Sequence, residues 1–262
     1  MASFGTSPNL QLLSSPDGIS WTLLDSFMVD GSSGYLRDPS IMYYDGSYWI
    51  AYTNCQNSTS VETNFGIRSA TNLGTWSSEI AVSPGVSGTV RVWAPEFFQD
   101  PVSGNVYVYV AISTSGGLTT SPFSIYVAQA LNTSLTSWSS FSQVYSGNYS
   151  IDPYVVYAGG AYYLWYKNNN TGYVEYATSS SPTGIFTAVE TGNWAGWGNS
   201  PTYEGPCVLN TGGDNWIIYF DNNTDSVGQS YSVSTNNWST WSAPTPIASP
   251  YVANHGTTIV NP

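Results

Sequence analysis

Five similar strand openings recur along the chain in units of about 50 residues, and this repeat constrains the fold more than any other feature. They read Arg37-Asp-Pro-Ser-Ile41, Trp93-Ala-Pro-Glu-Phe97, Ile151-Asp-Pro-Tyr-Val155, Tyr203-Glu-Gly-Pro-Cys207 and Asn254-His-Gly-Thr-Thr258. From Asp38 the steps are 58 residues to Glu96, 56 to Asp152, 52 to Glu204 and 51 to His255. Each of the first four openings leads into an aromatic, β-branched run: Tyr48–Thr53, Val106–Val110, Tyr162–Tyr166 and Trp216–Phe220. Third runs follow, such as Phe65–Ala70, Ile125–Gln129 and Val174–Thr178. A Trp or Phe at Trp76, Trp138, Phe186 and Trp241 then marks a fourth. No stretch carries a capped helical period. Four strands per unit predict an all-β, five-bladed β-propeller formed by a single domain over residues 1–262.

The fifth opening has only seven residues after His255, so its remaining strands must come from elsewhere. Asn9–Leu13 and Ser20–Leu24, joined across the Asp17-Gly18 turn, are the candidates. The two chain ends then share one blade and close the ring, which removes exposed sheet edges. A two-sheet sandwich explains neither the five openings nor the half-blades at both ends.

Charge narrows the partner. Four Lys and Arg face 16 Asp and Glu, a net charge of −12, and charged residues make up only 8% of the chain. That balance argues against nucleic acid and against anionic membrane surfaces, and it suits a neutral polymer such as carbohydrate. No apolar run reaches the roughly 18 residues of a membrane helix. Cys55 and Cys207 make no disulfide framework and read as two buried thiols, with a single bridge as the alternative. Six sequons, at Asn57, Asn132, Asn148, Asn169, Asn222 and Asn237, point to a secreted, extracellular glycoprotein with these sites on surface loops. No leader precedes Ser3, so Met1-Ala2 reads as the start of a mature chain.

In a propeller the first strand of every blade lines the central channel, and its first residues face one mouth. Asp38, Asp152 and Glu204 stand at matching openings, with Glu96 deeper in its own. Carboxylates crowded into a partly desolvated funnel raise at least one pKa, which supplies a base and an acid at the same pH. The competing readings are local: Asx-Pro turns for Asp38 and Asp152, a loop carboxylate for Glu204, core packing for Trp93, and backbone satisfaction for Glu96. Arg37 offers a counter-charge beside Asp38. His255 is the only histidine, which excludes a His-based triad and a multi-histidine zinc site.

Taken in order, the five motifs resemble glycoside hydrolase family 43, whose members are five-bladed propellers that hydrolyse arabinofuranosides and xylosides with inversion. The resemblance implies that Asp38 in Arg37-Asp38-Pro39 is the general base. It implies that Asp152 in Ile151-Asp152-Pro153 orients the acid and tunes its pKa, and that Glu204 in Tyr203-Glu204-Gly205-Pro206 is the general acid. Arg37, Trp93, Glu96 and Tyr203 are then the expected sugar contacts. His255 in Asn254-His255-Gly256 is expected over a calcium ion or a water cluster in the channel. The expected substrate is an α-L-arabinofuranosyl linkage of plant cell-wall polysaccharide, with β-xylosyl close behind, and the expected state is a monomer. Two alternatives stand beside it: a non-catalytic sugar-binding propeller and a retaining, fructan-active one. The chemically unlike openings favour one central site over a lectin's repeated pockets.

Overall fold

The aromatic runs form strands because their side chains pack well on a pleated surface and the Gly, Asn and Ser clusters between them turn the chain. The computed structural model describes residues 1–4, 10–27, 35–55, 62–115, 122–147, 149–197, 203–222, 228–249 and 253–260. Among them there are 20 strands and no helix. The N-terminus contributes β1 (Ala2–Phe4), β2 (Leu10–Ser14) and β3 (Thr22–Phe27). Next come β4 (Tyr35–Tyr44), β5 (Ser47–Cys55), β6 (Phe65–Ala70) and β7 (Ile80–Val82). The third set is β8 (Arg91–Gln99), β9 (Val106–Ser113), β10 (Phe123–Gln129) and β11 (Ser142–Tyr145). The fourth is β12 (Ser150–Ala158), β13 (Ala161–Asn168), β14 (Val174–Ser179) and β15 (Thr187–Glu190). The last is β16 (Tyr203–Gly212), β17 (Asn215–Asn222), β18 (Gln229–Ser234) and β19 (Thr245–Pro246), before the lone β20 (Asn254–Thr257).

These strands make five four-stranded antiparallel sheets, the blades of a five-bladed propeller. Four are simple meanders. The fifth runs β20-β1-β2-β3, so the last strand of the chain completes a blade whose other strands are its first. The innermost strands β4, β8, β12, β16 and β20 touch one another in a closed cycle around the channel. Trp76, Trp138, Phe186 and Trp241 lie just before the outer strands rather than in them, where they pack onto the sheets. The outer strands are short, which limits the exposed edge.

The core sits between blades. Tyr52, Tyr109, Trp165, Tyr166, Tyr219 and Phe220 are fully buried there, each contributing about 1.5–3 kcal/mol by burial. Cys207 is a free, buried thiol, pushed up to about 11 by burial; the Cys55 side chain lies outside the described residues. Asn132, Asn169 and Asn237 are exposed and Asn222 is half-buried, while Asn57 and Asn148 lie outside the described residues.

The ring is fastened where the ends meet. Thr257 Oγ1 donates to Pro39 O at 3.0 Å and accepts from the Ile41 N–H at 3.0 Å, joining β20 to β4. Thr257→Val keeps the shape but leaves the Ile41 N–H buried and unpaired, at a cost of about 1–3 kcal/mol. The expected result is a thermal midpoint several degrees lower; a midpoint within 1 °C of wild type, roughly a third of a kcal/mol for a chain this long, contradicts the fastening.

Candidate active site

All five inner strands carry the same irregularity at their first turn. Arg37 pairs with Thr53 and Ser40 with Ala51, so Asp38 and Pro39 face one residue of β5. The same two-against-one step falls at Ala94-Pro95, Asp152-Pro153, Gly205-Pro206 and His255-Gly256. These are β-bulges, and a bulge re-aims the side chain at its first position. That position has positive φ in every blade: Asp38 at 50°, Ala94 at 48°, Asp152 at 55°, Gly205 at 59° and His255 at 33°. The second position is Pro in four blades, tolerated because a bulged residue has no ladder hydrogen bond to lose. The recurrent X-Pro of the sequence is thus the signature of the bulge.

The bulge register corrects the motif alignment. Glu204 precedes its bulge and shares the position of Arg37, Trp93 and Ile151, whereas Asp38 and Asp152 share theirs with Gly205 and His255. Two adjacent positions from several blades therefore build one pocket of about 90 Å³. Its walls are Arg37, Asp38, Thr53, Trp93, Ile151, Asp152, Glu204 and His255. Glu96 and Tyr203, both expected as sugar contacts, are not among them. Glu96 directly follows the β8 bulge at Ala94-Pro95 and is buried in the channel, lining the opposite opening with Tyr154 and Thr258. Burial holds its carboxyl well above the usual range. The Tyr203 ring packs on Phe220 at 4.5 Å and on Trp197.

The pocket is tightly wired. Thr53 Oγ1 donates to Asp38 Oδ2 at 2.8 Å and accepts from the Ala94 N–H at 2.7 Å, so its hydroxyl ties the carboxylate to the next blade. His255 Nδ1 lies 3.3 Å from Asp38 Oδ1 and 3.9 Å from Asp152 Oδ2, so one imidazole spans both acids. The Gly205 N–H donates to Asp152 Oδ2 at 3.0 Å. Only glycine suits position 205, since a Cβ there would meet the His255 ring at 2.7 Å. Trp93 is clamped at the wall. Its indole N–H donates to Glu62, its ring stacks on Phe123 at 4.5 Å, and the Arg91 guanidinium, paired with Glu62, sits 5.5 Å from the ring centroid. Arg37 is exposed, with its guanidinium over the Phe4 ring at 5.5 Å.

Burial and the Asp38 charge push the Asp152 carboxyl up to about 7, opposed by the Gly205 N–H, Lys167 and Arg37. Asp221 is also pushed up to about 7, first by burial and then by the Glu204 charge. Asp221 faces Glu204 across β16 and β17, Lys167 faces Ile151, and Thr53 faces Arg37. The sequence reading missed these three supporting residues. The signal was there: Lys167 and Asp221 are the first polar residues after their blades' aromatic runs, and Thr53 is the polar residue that ends its own. Among the described residues, no group of three or more His, Cys, Asp and Glu side chains is arranged to hold a metal ion. The contacts of His255 are with carboxylates.

The sequence model of one family, described as "Probable glycosyl hydrolase domain" and related to glycoside hydrolase family 43, matches residues 7–261. The chain belongs to this family. No curated protein matches it. Solved structures show the same fold at low identity. A thermostable family-43 glycoside hydrolase is 14% identical with a TM-score of 0.70, over 96% of this chain and 90% of that one. The α-L-arabinofuranosidase from Clostridium thermocellum is 19% identical with a TM-score of 0.65, over 95% and 87%. The xylan β-1,4-xylosidase from Bacillus halodurans is 17% identical with a TM-score of 0.65, over 84% of this chain but only 46% of that protein, so the chain spans about half its length.

The raised carboxyls have a consequence for stability. An acid whose folded pKa exceeds its unfolded one stabilises the fold most below the unfolded value and loses that contribution as pH rises through the folded one. For Asp152 and Asp221 the window runs from 3.8 to about 7. Asp152→Asn and Asp221→Asn should each raise the thermal midpoint at pH 8 and leave it unchanged near pH 4. A midpoint equal to or below wild type at pH 8 contradicts this electrostatic picture.

Proposed function

We propose that this glycoside hydrolase cleaves by inversion, with Asp38 as general base and Glu204 as general acid. The observation that carries the reading is the convergence of Asp38, Asp152 and Glu204, from three different blades, on one small pocket. Inverting hydrolysis needs a carboxylate on one side of the anomeric carbon and a carboxylic acid on the other. Asp38 accepts a hydrogen bond from Thr53 on one oxygen and faces His255 with the other. It takes a proton from a water that attacks the anomeric carbon as the glycosidic C–O bond breaks. Glu204 gives its proton to the departing oxygen. Asp152, more buried than Asp38 and next to it, is the acid of that pair that keeps a proton, and it fixes the peptide that follows Glu204.

The substrate in this reading is an α-L-arabinofuranoside of plant cell-wall polysaccharide, with β-xylosides second. The support is the motif resemblance and the likeness in fold to an arabinofuranosidase and a xylosidase. Arg37 and Trp93 line the pocket and are the sugar contacts it offers. The protein acts as a secreted glycoprotein, for which the surface sequons at Asn132, Asn169 and Asn237 are the support.

The roles separate by leaving group, because a general acid matters most when the leaving alcohol is poor. Glu204→Gln should lose at least 100-fold in kcat/KM on an alkyl glycoside and far less on a dinitrophenyl glycoside, in keeping with the roughly 10²–10⁴-fold worth of such catalysis. Asp38→Asn should lose both. Equal losses for Glu204→Gln on the two substrates contradict its role as acid. Inactivity of the wild type across aryl arabinofuranosides, xylosides and galactosides, and across polymers, favours a sugar-binding module instead.

A further inference from the structure

Lys167 is one of only four cations in the chain, and it is 3% exposed. A lysine near the end of a strand normally extends its ammonium into water, since burying the charge is costly. Here the head group is turned inward. Lys167 Nζ donates to Tyr203 O at 2.7 Å and to Gly172 O at 2.6 Å. Burial pulls its pKa down, while the Glu204 and Asp152 charges, in that order, hold it up.

The placement is specific to Glu204. Tyr203 O belongs to the peptide that enters Glu204, and the Gly205 N–H, held by Asp152 at 3.0 Å, belongs to the peptide that leaves it. Glu204 is therefore bracketed by two side chains from the neighbouring blade: Lys167 on β13 and Asp152 on β12. Thr53 serves Asp38 from the corresponding register position in its own blade. From these contacts we propose that Lys167 is a positioning residue for Glu204, tying the peptide that carries it to the Gly172 turn and setting one buried positive charge beside it. The proposal rests on the assignment of Glu204 as the acid. Charged groups around Glu204 are Lys167 from β13, Asp152 from β12, Asp221 from β17, and Arg37, Asp38 and His255 across the pocket.

The test uses Lys167→Met, which keeps the aliphatic stem and removes donor and charge, with Glu204→Gln as control. A misplaced acid behaves as a weakened one. Lys167→Met should lose roughly 10- to 100-fold in kcat on an alkyl glycoside, with KM within about twofold, and clearly less on the dinitrophenyl glycoside. Without the adjacent positive charge Glu204 holds its proton to higher pH, so the alkaline limb of kcat/KM should move upward. Lys167→Arg keeps the charge and should keep the wild-type alkaline limb. If Lys167→Met does not fold, Lys167→Gln carries the same comparison, since its amide can still donate to one carbonyl. A folded variant with equal losses on both substrates and an unmoved limb overturns the proposal while the control still supports Glu204. A control without leaving-group dependence overturns the acid assignment and this proposal with it.

Discussion

The site depends on one backbone constraint, the bulge at the first turn of each inner strand. A regular ladder would point successive side chains alternately toward the channel and away from it. The bulge breaks that alternation, so that neighbouring residues such as Arg37 and Asp38, or Ile151 and Asp152, both reach the pocket. Its cost is the left-handed conformation at Asp38, Ala94, Asp152 and His255, about 1–3 kcal/mol for each non-glycine residue outside the well-populated regions. The interlocked ring of inner strands holds the strain in place, and ring closure through Thr257 is part of what keeps it there.

Electrostatics follow from the same geometry. Bulges converging from five directions bring Asp38, Asp152, Glu204 and Asp221 into a volume where not all can ionise freely, and the chain has few cations to answer them. Lys167 and Arg37 are two of the four, and both act on Asp152. Burial and a neighbouring carboxylate charge raise Asp152 and Asp221 to about 7. Ionising these two buried carboxyls costs stability as pH rises from 3.8 to about 7.

The blade count, the shared blade of the chain ends and the pocket acids were legible in the sequence, because bulge, Pro and aromatic run recur at blade spacing. The register was not. Matching Glu204 with Asp38 by residue type hid the fact that Glu204 precedes its bulge, whereas Glu96, deeper in its own opening, follows its bulge and lies in the channel. β1 also escaped notice, being only three residues long. Tyr203, expected as a sugar contact, has its ring in the interblade aromatic cluster with Phe220 and Trp197. Thr53, Lys167 and Asp221 were passed over because their meaning lies in cross-strand pairing, which a linear reading does not display.

Carboxyls on separate blades acting on opposite sides of one anomeric carbon must invert it. Proton NMR of the sugar released in the first seconds of hydrolysis of an aryl arabinofuranoside or xyloside, before mutarotation, reads this directly. The expected new anomer has the configuration opposite to that of the substrate. A product that retains the substrate's configuration contradicts it, since a carboxylate in this pocket would then be attacking the sugar itself.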